Sequence, residues 1–235
     1  NPPTEAFEPG TLLSYRNDTN SSTGILDGDG WESIDDSGVW TKGNDDIKPE
    51  NNGQTPGWSI DNDQKVDTLP GNDTLIFEGR GIPALTNNGK LKMNKGRDLL
   101  RLSIERNDEQ NNVCLSNMGT IHLGKGRDQI DLLTGALSGE GKIKLGAGND
   151  AFSGFGQQDL VHGGKGKDLL RLPAGTYEVN VEGKILSIKT DNHTMKTRDF
   201  EFIGGMETKK KELLDTKTLS QATLLQIDEL SVSFD

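Results

Sequence analysis

Cysteine, aromatic residues and long apolar runs are all scarce in this chain of 235 residues. The single cysteine, Cys114, excludes a disulfide within the chain, and we expect it to be a small buried apolar residue. Aromatic residues make up 5% of the sequence and hydrophobic residues 31%, which is little for a broad globular core. Because no apolar run approaches the roughly 18 to 20 residues that cross a bilayer, we expect no membrane insertion.

Positive charge is also in the minority. The chain has 26 Lys and Arg residues against 37 Asp and Glu residues, and its net charge is −11. This balance argues against a nucleic-acid partner, because binding to phosphates requires Lys and Arg residues clustered on one face. Divalent cations are the natural counter-charge for such a chain.

The most informative feature of the chain is a repeated nonapeptide. Three copies follow one another without a gap and read LGAGNDAFS, GFGQQDLVH and GGKGKDLLR, at residues 145–153, 154–162 and 163–171. Four looser copies stand upstream at wider intervals, at residues 40–48, 68–76, 93–101 and 123–131. In six of the seven copies a glycine stands two residues before the aspartate, with Gln157 as the exception, and every copy has an apolar residue two positions after the aspartate. A Gly-rich turn followed by a short strand with one inward apolar side chain is the repeating unit of a β-solenoid.

The sequence therefore predicts an all-β fold, a right-handed parallel β-roll or β-solenoid with enlarged turns. Each wide interval ends in a second alternating segment whose apolar residues point inward, at residues 89–93, 119–123 and 141–145. We therefore expect two strands per coil. The polar or Gly-rich excursions between them should bulge outward, as at residues 106–112 and 134–140. On this plan Asp150 and Asp168 lie on the same side of the coil, and Asp159 lies on the other.

The repeated turn supplies the ligands that calcium prefers. Calcium binds six to eight oxygen atoms, and a GxGxD turn offers several backbone carbonyls and one carboxylate, because glycine permits the positive φ angles that point carbonyls to one side. Strands of adjacent coils lie about 4.8 Å apart, so one ion can take oxygens from two turns. Without metal, aspartates stacked about 5 Å apart repel each other by about 0.8 kcal/mol even at the dielectric constant of water. The sequence therefore predicts Ca²⁺ as the cofactor and folding that depends on it.

Patterning changes at the two ends of this calcium-binding solenoid, which we place at residues 40–172 with its densest repeats at 123–171. Residues 173–205 alternate as strands of ordinary length and should form an antiparallel β cap at the C-terminal end. Residues 206–235 form a C-terminal tail. Residues 1–39 form an N-terminal cap or a small module of their own. The three tryptophans lie within residues 1–60, and we expect them to pack in a cap over the first coil rather than to bind sugars. They are Trp31, Trp40 and Trp58.

The nonapeptides resemble the GGxGxDxUx repeats of the RTX (repeats-in-toxin) proteins, and GGKGKDLLR at residues 163–171 is the closest match. The resemblance implies parallel β-rolls that bind calcium between turns. It also implies export from bacteria by type I secretion with an uncleaved C-terminal signal, for which residues 206–235 are the candidate. The side-chain ligands implied by position are Asp128, Asp150, Asp159 and Asp168, followed by Asp45, Asp73 and Asp98. The glycines that shape the turns are Gly124, Gly126, Gly146, Gly148, Gly164 and Gly166.

We expect a non-enzymatic, secreted or surface-displayed module with a structural or adhesive role, disordered at low cytoplasmic calcium and rigid in external calcium. One alternative is a carbohydrate-active solenoid, either a polysaccharide-binding accessory module or a lyase or epimerase. Another is a virion or S-layer decoration protein. The expected partners are calcium ions and a polysaccharide, cell-surface or assembly component. The histidines lack zinc-binding spacing and should occupy surface positions on strands: His122, His162 and His193.

Overall fold

A computed structural model describes residues 10–11, 21–24, 44–47, 58–60, 62, 65–80, 83–105, 112–209, 212–219, 222–228 and 231–234 of the chain. These residues form β-strands, turns and a short 3₁₀-helix at Thr216–Thr218, so the predicted all-β class is confirmed. Within these ranges, no helix has the length and apolar character that crossing a membrane requires.

The described strands form three sheets. Sheet I has five parallel strands: β1 (Gly10–Thr11), β4 (Trp58–Ile60), β7 (Leu85–Asn87), β11 (Val113–Asn117) and β14 (Ala136–Ser138). Sheet II has nine: β2 (Ser21–Gly24), β3 (Asn44–Ile47), β6 (Thr74–Arg80), β10 (Leu99–Glu105), β13 (Gln129–Leu132), β16 (Ala151–Ser153), β18 (Leu169–Leu172), β22 (Phe202–Gly205) and β23 (Leu214–Asp215). Sheet III has eleven: β5 (Lys65–Asp67), β8 (Lys90–Lys92), β9 (Lys95–Gly96), β12 (Thr120–Gly126), β15 (Lys142–Gly148), β17 (Gln158–Gly166), β19 (Gly175–Glu182), β20 (Ile185–Lys189), β21 (Thr194–Arg198), β24 (Ala222–Ile227) and β25 (Val232–Phe234).

From β4 to β16 the chain visits the sheets in the fixed order I, III, II, and equivalent strands of successive circuits pair in parallel. In sheet II the apolar residue two places after each aspartate falls in one register. The register runs through Ile47, Leu75, Leu100, Ile130, Phe152 and Leu170. From Leu75 onward these side chains are buried. The predicted inward position of these residues is therefore confirmed.

The second alternating segments lie in sheet III and are also confirmed. Ile121 pairs with Leu91 on one side and Ile143 on the other, and Ile143 pairs with Val161. All four side chains are buried. Val161, the apolar residue of the middle nonapeptide, thus belongs to sheet III and not to the register of sheet II.

The expectation of two strands per coil is wrong from β4 to β16, because each circuit there has a third strand in sheet I. It holds for the densest repeats, where the chain has only β17 between β16 and β18, and Gly156 reaches sheet I through one isolated bridge with Leu137. Residues 134–140 do not simply bulge outward, since they include β14, in which Leu137 is fully buried. The other expected excursion, residues 106–112, lies outside the described residues except for Asn112. Strands of three residues beside Gly and Ser carry too little alternation to be recognised in a sequence.

After Pro173 the pairing is mixed. β19 and β20 form an antiparallel hairpin, β20 pairs antiparallel with β21, and β24 pairs antiparallel with β19. β21 and β22 then pair in parallel with β17 and β18 and so continue sheets III and II. The expected antiparallel strands are present, but they are inserted before a final parallel passage through two sheets.

Apolar residues from all three sheets form one continuous core. Trp58 is 2% exposed, and its ring centroid lies 6.4 Å from that of Phe77. Cys114 is fully buried, as expected, and burial raises the pKa of its thiol to about 12. Trp31 and Trp40 lie outside the described residues.

Candidate metal centre

Five of the predicted aspartates form a continuous ladder at the turn between sheet III and sheet II. Each stands directly before a strand of sheet II and is at most 1% exposed. The backbone N–H of each aspartate donates to Oδ1 of the next one, at N···O distances of 2.8 to 3.0 Å. The members of this aspartate ladder are Asp73, Asp98, Asp128, Asp150 and Asp168.

One oxygen of most ladder carboxylates lacks a partner. The Oδ2 atoms of Asp98, Asp128, Asp150 and Asp168 are buried and accept no hydrogen bond within the described part of the chain. Burial is the main cause that raises the pKa of these carboxyls, to about 8 for Asp98, about 7 for Asp168 and about 6 for both Asp128 and Asp150. Leaving such an oxygen buried and unpaired is costly, and either a proton or a cation relieves the cost.

Two columns of glycine shape the turn beside the aspartate ladder. All six predicted turn glycines have positive φ angles, and they pair in register between circuits. One column contains Gly124, Gly146 and Gly164, and the other contains Gly126, Gly148 and Gly166. A Cβ atom on Gly148 would lie 1.4 Å from the carbonyl oxygen of Gly126 and 2.9 Å from Oδ1 of Asp150. Glycine carbonyls and ladder carboxylates therefore line the same narrow space between turns.

The residue before the aspartate adds a second set of hydrogen bonds between turns. Oδ1 of Asn72 accepts from the backbone N–H of Arg97 at 2.7 Å, and Oδ1 of Asn149 accepts from that of Lys167 at 2.9 Å. In these bonds the acceptor belongs to the earlier circuit, whereas in the aspartate ladder it belongs to the later one. Adjacent turns are thus tied in both directions.

Two polar residues that the repeat pattern does not predict stand at the ends of the aspartate ladder. Oγ1 of Thr68 donates to Oδ2 of Asp73 at 2.5 Å. At the other end, the backbone N–H of Asp168 donates to Oε2 of Glu201 at 2.8 Å. Glu201 directly precedes β22, as each ladder aspartate precedes its own strand, so it takes the next position of the column. Its signal in the sequence is the following pair Phe202 and Ile203, but the glycines of the repeat are missing.

Two predicted ligands are not members of the described ladder. Asp45 lies in β3, where the register of Asp46 with Thr74 sets its backbone opposite Asp73, and its side chain lies outside the described part. Asp159 lies near the start of β17, at the opposite end of that strand from Gly166, and its side chain is likewise not described. The predicted separation of Asp159 from the other two aspartates of the dense repeats is consistent with this placement.

The donor atoms of the aspartate ladder suit calcium. Four ladder turns hold an unpartnered carboxylate oxygen, and glycine carbonyl oxygens lie beside the other oxygen of the ladder carboxylates. Within the described ranges, no group of three or more His, Cys, Asp or Glu side chains lies close enough to hold one metal ion. A calcium site at this turn would therefore complete its shell of six to eight oxygens with backbone carbonyls.

Comparison with known proteins gives no family for the chain. No protein-family model matches it, and no curated protein or solved structure gives a significant match. The role of the aspartate ladder is therefore inferred from its geometry.

Without calcium, the free energy of unfolding should fall as the pH rises from about 4 to about 8. The ordinary pKa of an aspartate is 3.8, and in the folded chain it is raised to between about 6 and about 8 at four ladder positions. The folded state therefore keeps protons that the unfolded state has already lost, so ionisation favours unfolding across this range. Urea unfolding in chelator, followed by circular dichroism at several pH values, measures the trend. Stability that rises with pH in chelator would contradict it, and added calcium should abolish the fall because the ion binds the ionised carboxylate.

Proposed function

We propose that the chain is a calcium-stabilised module of the RTX type, a right-handed parallel β-roll or solenoid that is secreted or displayed on a bacterial surface. The observation that supports it most is the set of four buried Oδ2 atoms, one per turn, that have no partner within the described residues. A divalent cation between successive turns would satisfy these oxygens and neutralise their charge. The residues that would hold it are Asp98, Asp128, Asp150 and Asp168, with carbonyls of the turn glycines.

Dependence on calcium gives the module a means of control. At low cytoplasmic calcium, ionised ladder carboxylates would be buried without a counter-charge, and the compact state would be disfavoured. Only 31% of the residues are hydrophobic, so little apolar burial is available to offset that cost. The chain would then be exported unfolded and become rigid when it meets external calcium, which suits a structural or adhesive role.

The residues beside the aspartate ladder have a structural role in such a module. A cavity of about 420 Å³ opens there and is lined in part by Arg127, Lys167 and Arg171. Nη1 of Arg171 donates to the backbone carbonyl oxygens of Gly205 and Met206, at 2.7 and 2.9 Å. This arginine therefore holds the segment after β22 in place.

The substitution Asp150→Asn tests the proposal, because it keeps an oxygen that can accept from the Asp128 N–H but removes the charge. Asp150 borders two junctions between turns. In millimolar calcium we expect a loss of about 3 kcal/mol of unfolding free energy, corresponding to two sites of about 1.4 kcal/mol each. In chelator near pH 8 the variant should be at least as stable as the parent, because a buried carboxylate has been replaced by a neutral amide. Calorimetric titration should show fewer bound calcium ions.

The matched control is Asp191→Asn, which makes the same change at an exposed residue in the turn between β20 and β21. It should alter neither the stability nor the number of bound ions. If Asp150→Asn instead lost the same free energy with calcium and with chelator, the aspartate ladder would be a hydrogen-bonded structure without a metal, and the proposal would fail.

A further inference from the structure

The outward side of sheet III carries a concentration of positive charge that the overall composition conceals. Strands β8, β12, β15 and β17 alternate buried apolar residues with cations or histidines that point outward. We define the basic face as Lys90, Lys92, His122, Lys142, Lys144 and His162. It lies on a chain whose net charge is −11.

The residues of the basic face stand in rows that cross the strands. His122 pairs in register with Lys92 on one side and with Lys144 on the other, and Lys144 pairs with His162. Burial lowers the pKa of His122, and the charges of Lys144 and Lys92 lower it further. Neighbouring members of a row are separated by the strand spacing of about 4.8 Å.

Most of this charge is not neutralised within the described part of the chain. Lys90, Lys142 and Lys144 form no ion pair with any described residue, and Lys142 and Lys144 are exposed. Two carboxylates lie at the ends of the row. Asp67 pairs in register with Lys92 and lies 3.7 Å from its Nζ. At the other end Arg198 pairs in register with His162, and the following residue, Asp199, lies 2.8 Å from Nε2 of His162. Thr120 stands between Lys90 and Lys142, and His122 stands between Lys92 and Lys144, so the lysines of the basic face lie on alternate strands. An external anion would supply the counter-charge that most of these lysines lack.

A second row lies where sheet III enters the glycine turns. Lys95 pairs in register with Lys125, and Ala147 stands between Lys125 and Lys165. All three lysines are exposed. The positive charge therefore extends along the stack of circuits rather than forming one isolated spot.

We propose that the basic face binds a linear acidic polysaccharide, a polymer of uronic acids with one carboxylate on each sugar. The polymer runs across the strands, so that successive carboxylates meet successive circuits. A sugar ring advances such a polymer by a distance comparable with the strand spacing of about 4.8 Å, so the lysines on alternate strands would meet every second carboxylate of one polymer chain. Duplex DNA carries one charge per about 1.7 Å, and this much denser charge would be repelled more strongly by the acidic remainder of the protein.

The experiment measures binding of the full chain to immobilised polygalacturonate in millimolar calcium, with dextran as the neutral polymer. The parent should bind polygalacturonate, with an affinity that falls as salt is added, and should not bind dextran. The double variant Lys142→Glu and Lys144→Glu should weaken binding at least tenfold. The conservative pair Lys142→Arg and Lys144→Arg should bind within about twofold of the parent, because it keeps the charge. Circular dichroism in calcium checks that all variants are folded.

The matched control, Lys209→Glu with Lys217→Glu, reverses the same amount of charge at two exposed lysines outside the basic face. It should bind within about twofold of the parent. If calcium ions bridged polymer and protein instead, the effect of reversing two lysines would not depend on whether they belong to the basic face. Equal losses in both double variants, or no binding by the parent, would overturn the proposal. Tighter binding to single-stranded DNA or to anionic lipid vesicles would also overturn it in favour of that partner. Calcium-dependent folding is measured separately, so either proposal can fail while the other stands.

Discussion

Removing calcium should abolish most of the stability of the protein, with a loss of about 7 kcal/mol for five filled junctions at about 1.4 kcal/mol each. Four of these junctions lie between successive members of the aspartate ladder, and the fifth lies between Asp168 and Glu201. A loss of this size is comparable with the whole stability of a typical domain. The chain in excess chelator should therefore keep only a small part of its stability at neutral pH.

Circular dichroism and thermal unfolding, with chelator and after calcium is restored, measure the effect. Magnesium at the same concentration is the control, because it demands a tighter octahedral shell and gives up water reluctantly. It should restore little of the strand signal. A spectrum and a melting temperature that do not change in chelator would show that the ladder carboxylates tolerate each other without a divalent ion.

Replacing Gly148 by alanine should be nearly as damaging, with a loss of more than about 4 kcal/mol or no folded protein at all. The new Cβ atom would lie 1.4 Å from the carbonyl oxygen of Gly126 and 2.6 Å from its carbonyl carbon. These are backbone atoms and cannot rotate away. Gly126 cannot retreat either, because it is in turn packed against the carbonyl oxygen of Gly96. Urea unfolding in saturating calcium gives the loss, and inclusion bodies would be its extreme form.

Gly183→Ala is the control for the backbone angle. Gly183 has a φ angle of 63°, so alanine there is strained as well, but no heavy atom lies within 4 Å of its ideal Cβ position. The left-handed angle alone costs about 1 to 2 kcal/mol. If the two variants lost the same free energy, the close contact between turns would not be the cause of the damage at Gly148.

The sequence predicted the column of aspartates because its spacing is local and its residues are distinctive. Asp150 and Asp168 stand eighteen residues apart, and the ladder bond between them confirms that two nonapeptides make one circuit at this point. The same pattern located the apolar register of sheet II. These features follow from the period of the chain and its alternation, which a single sequence reveals.

The parts that the sequence did not predict depend on contacts between distant residues. Sheet I was not predicted because strands as short as β14 show almost no alternation of apolar and polar residues. Glu201 was missed because the chain reaches the column thirty-three residues after Asp168 without a repeat to mark it. The basic face was not predicted for a different reason. Lys92, His122 and Lys144 are neighbours only through the register of three strands, which the sequence does not give.

The separations between successive ladder aspartates are 25, 30, 22 and 18 residues, yet the hydrogen bond that joins each pair stays between 2.8 and 3.0 Å. The spacing of successive circuits is thus fixed at the aspartate ladder, while the number of residues in the rest of each circuit varies. Foreign peptides inserted away from the ladder would enlarge the cross-section of the protein locally and leave the distance between successive circuits unchanged. Such a fold can gain new surface loops by evolution or by protein engineering without a change of scaffold.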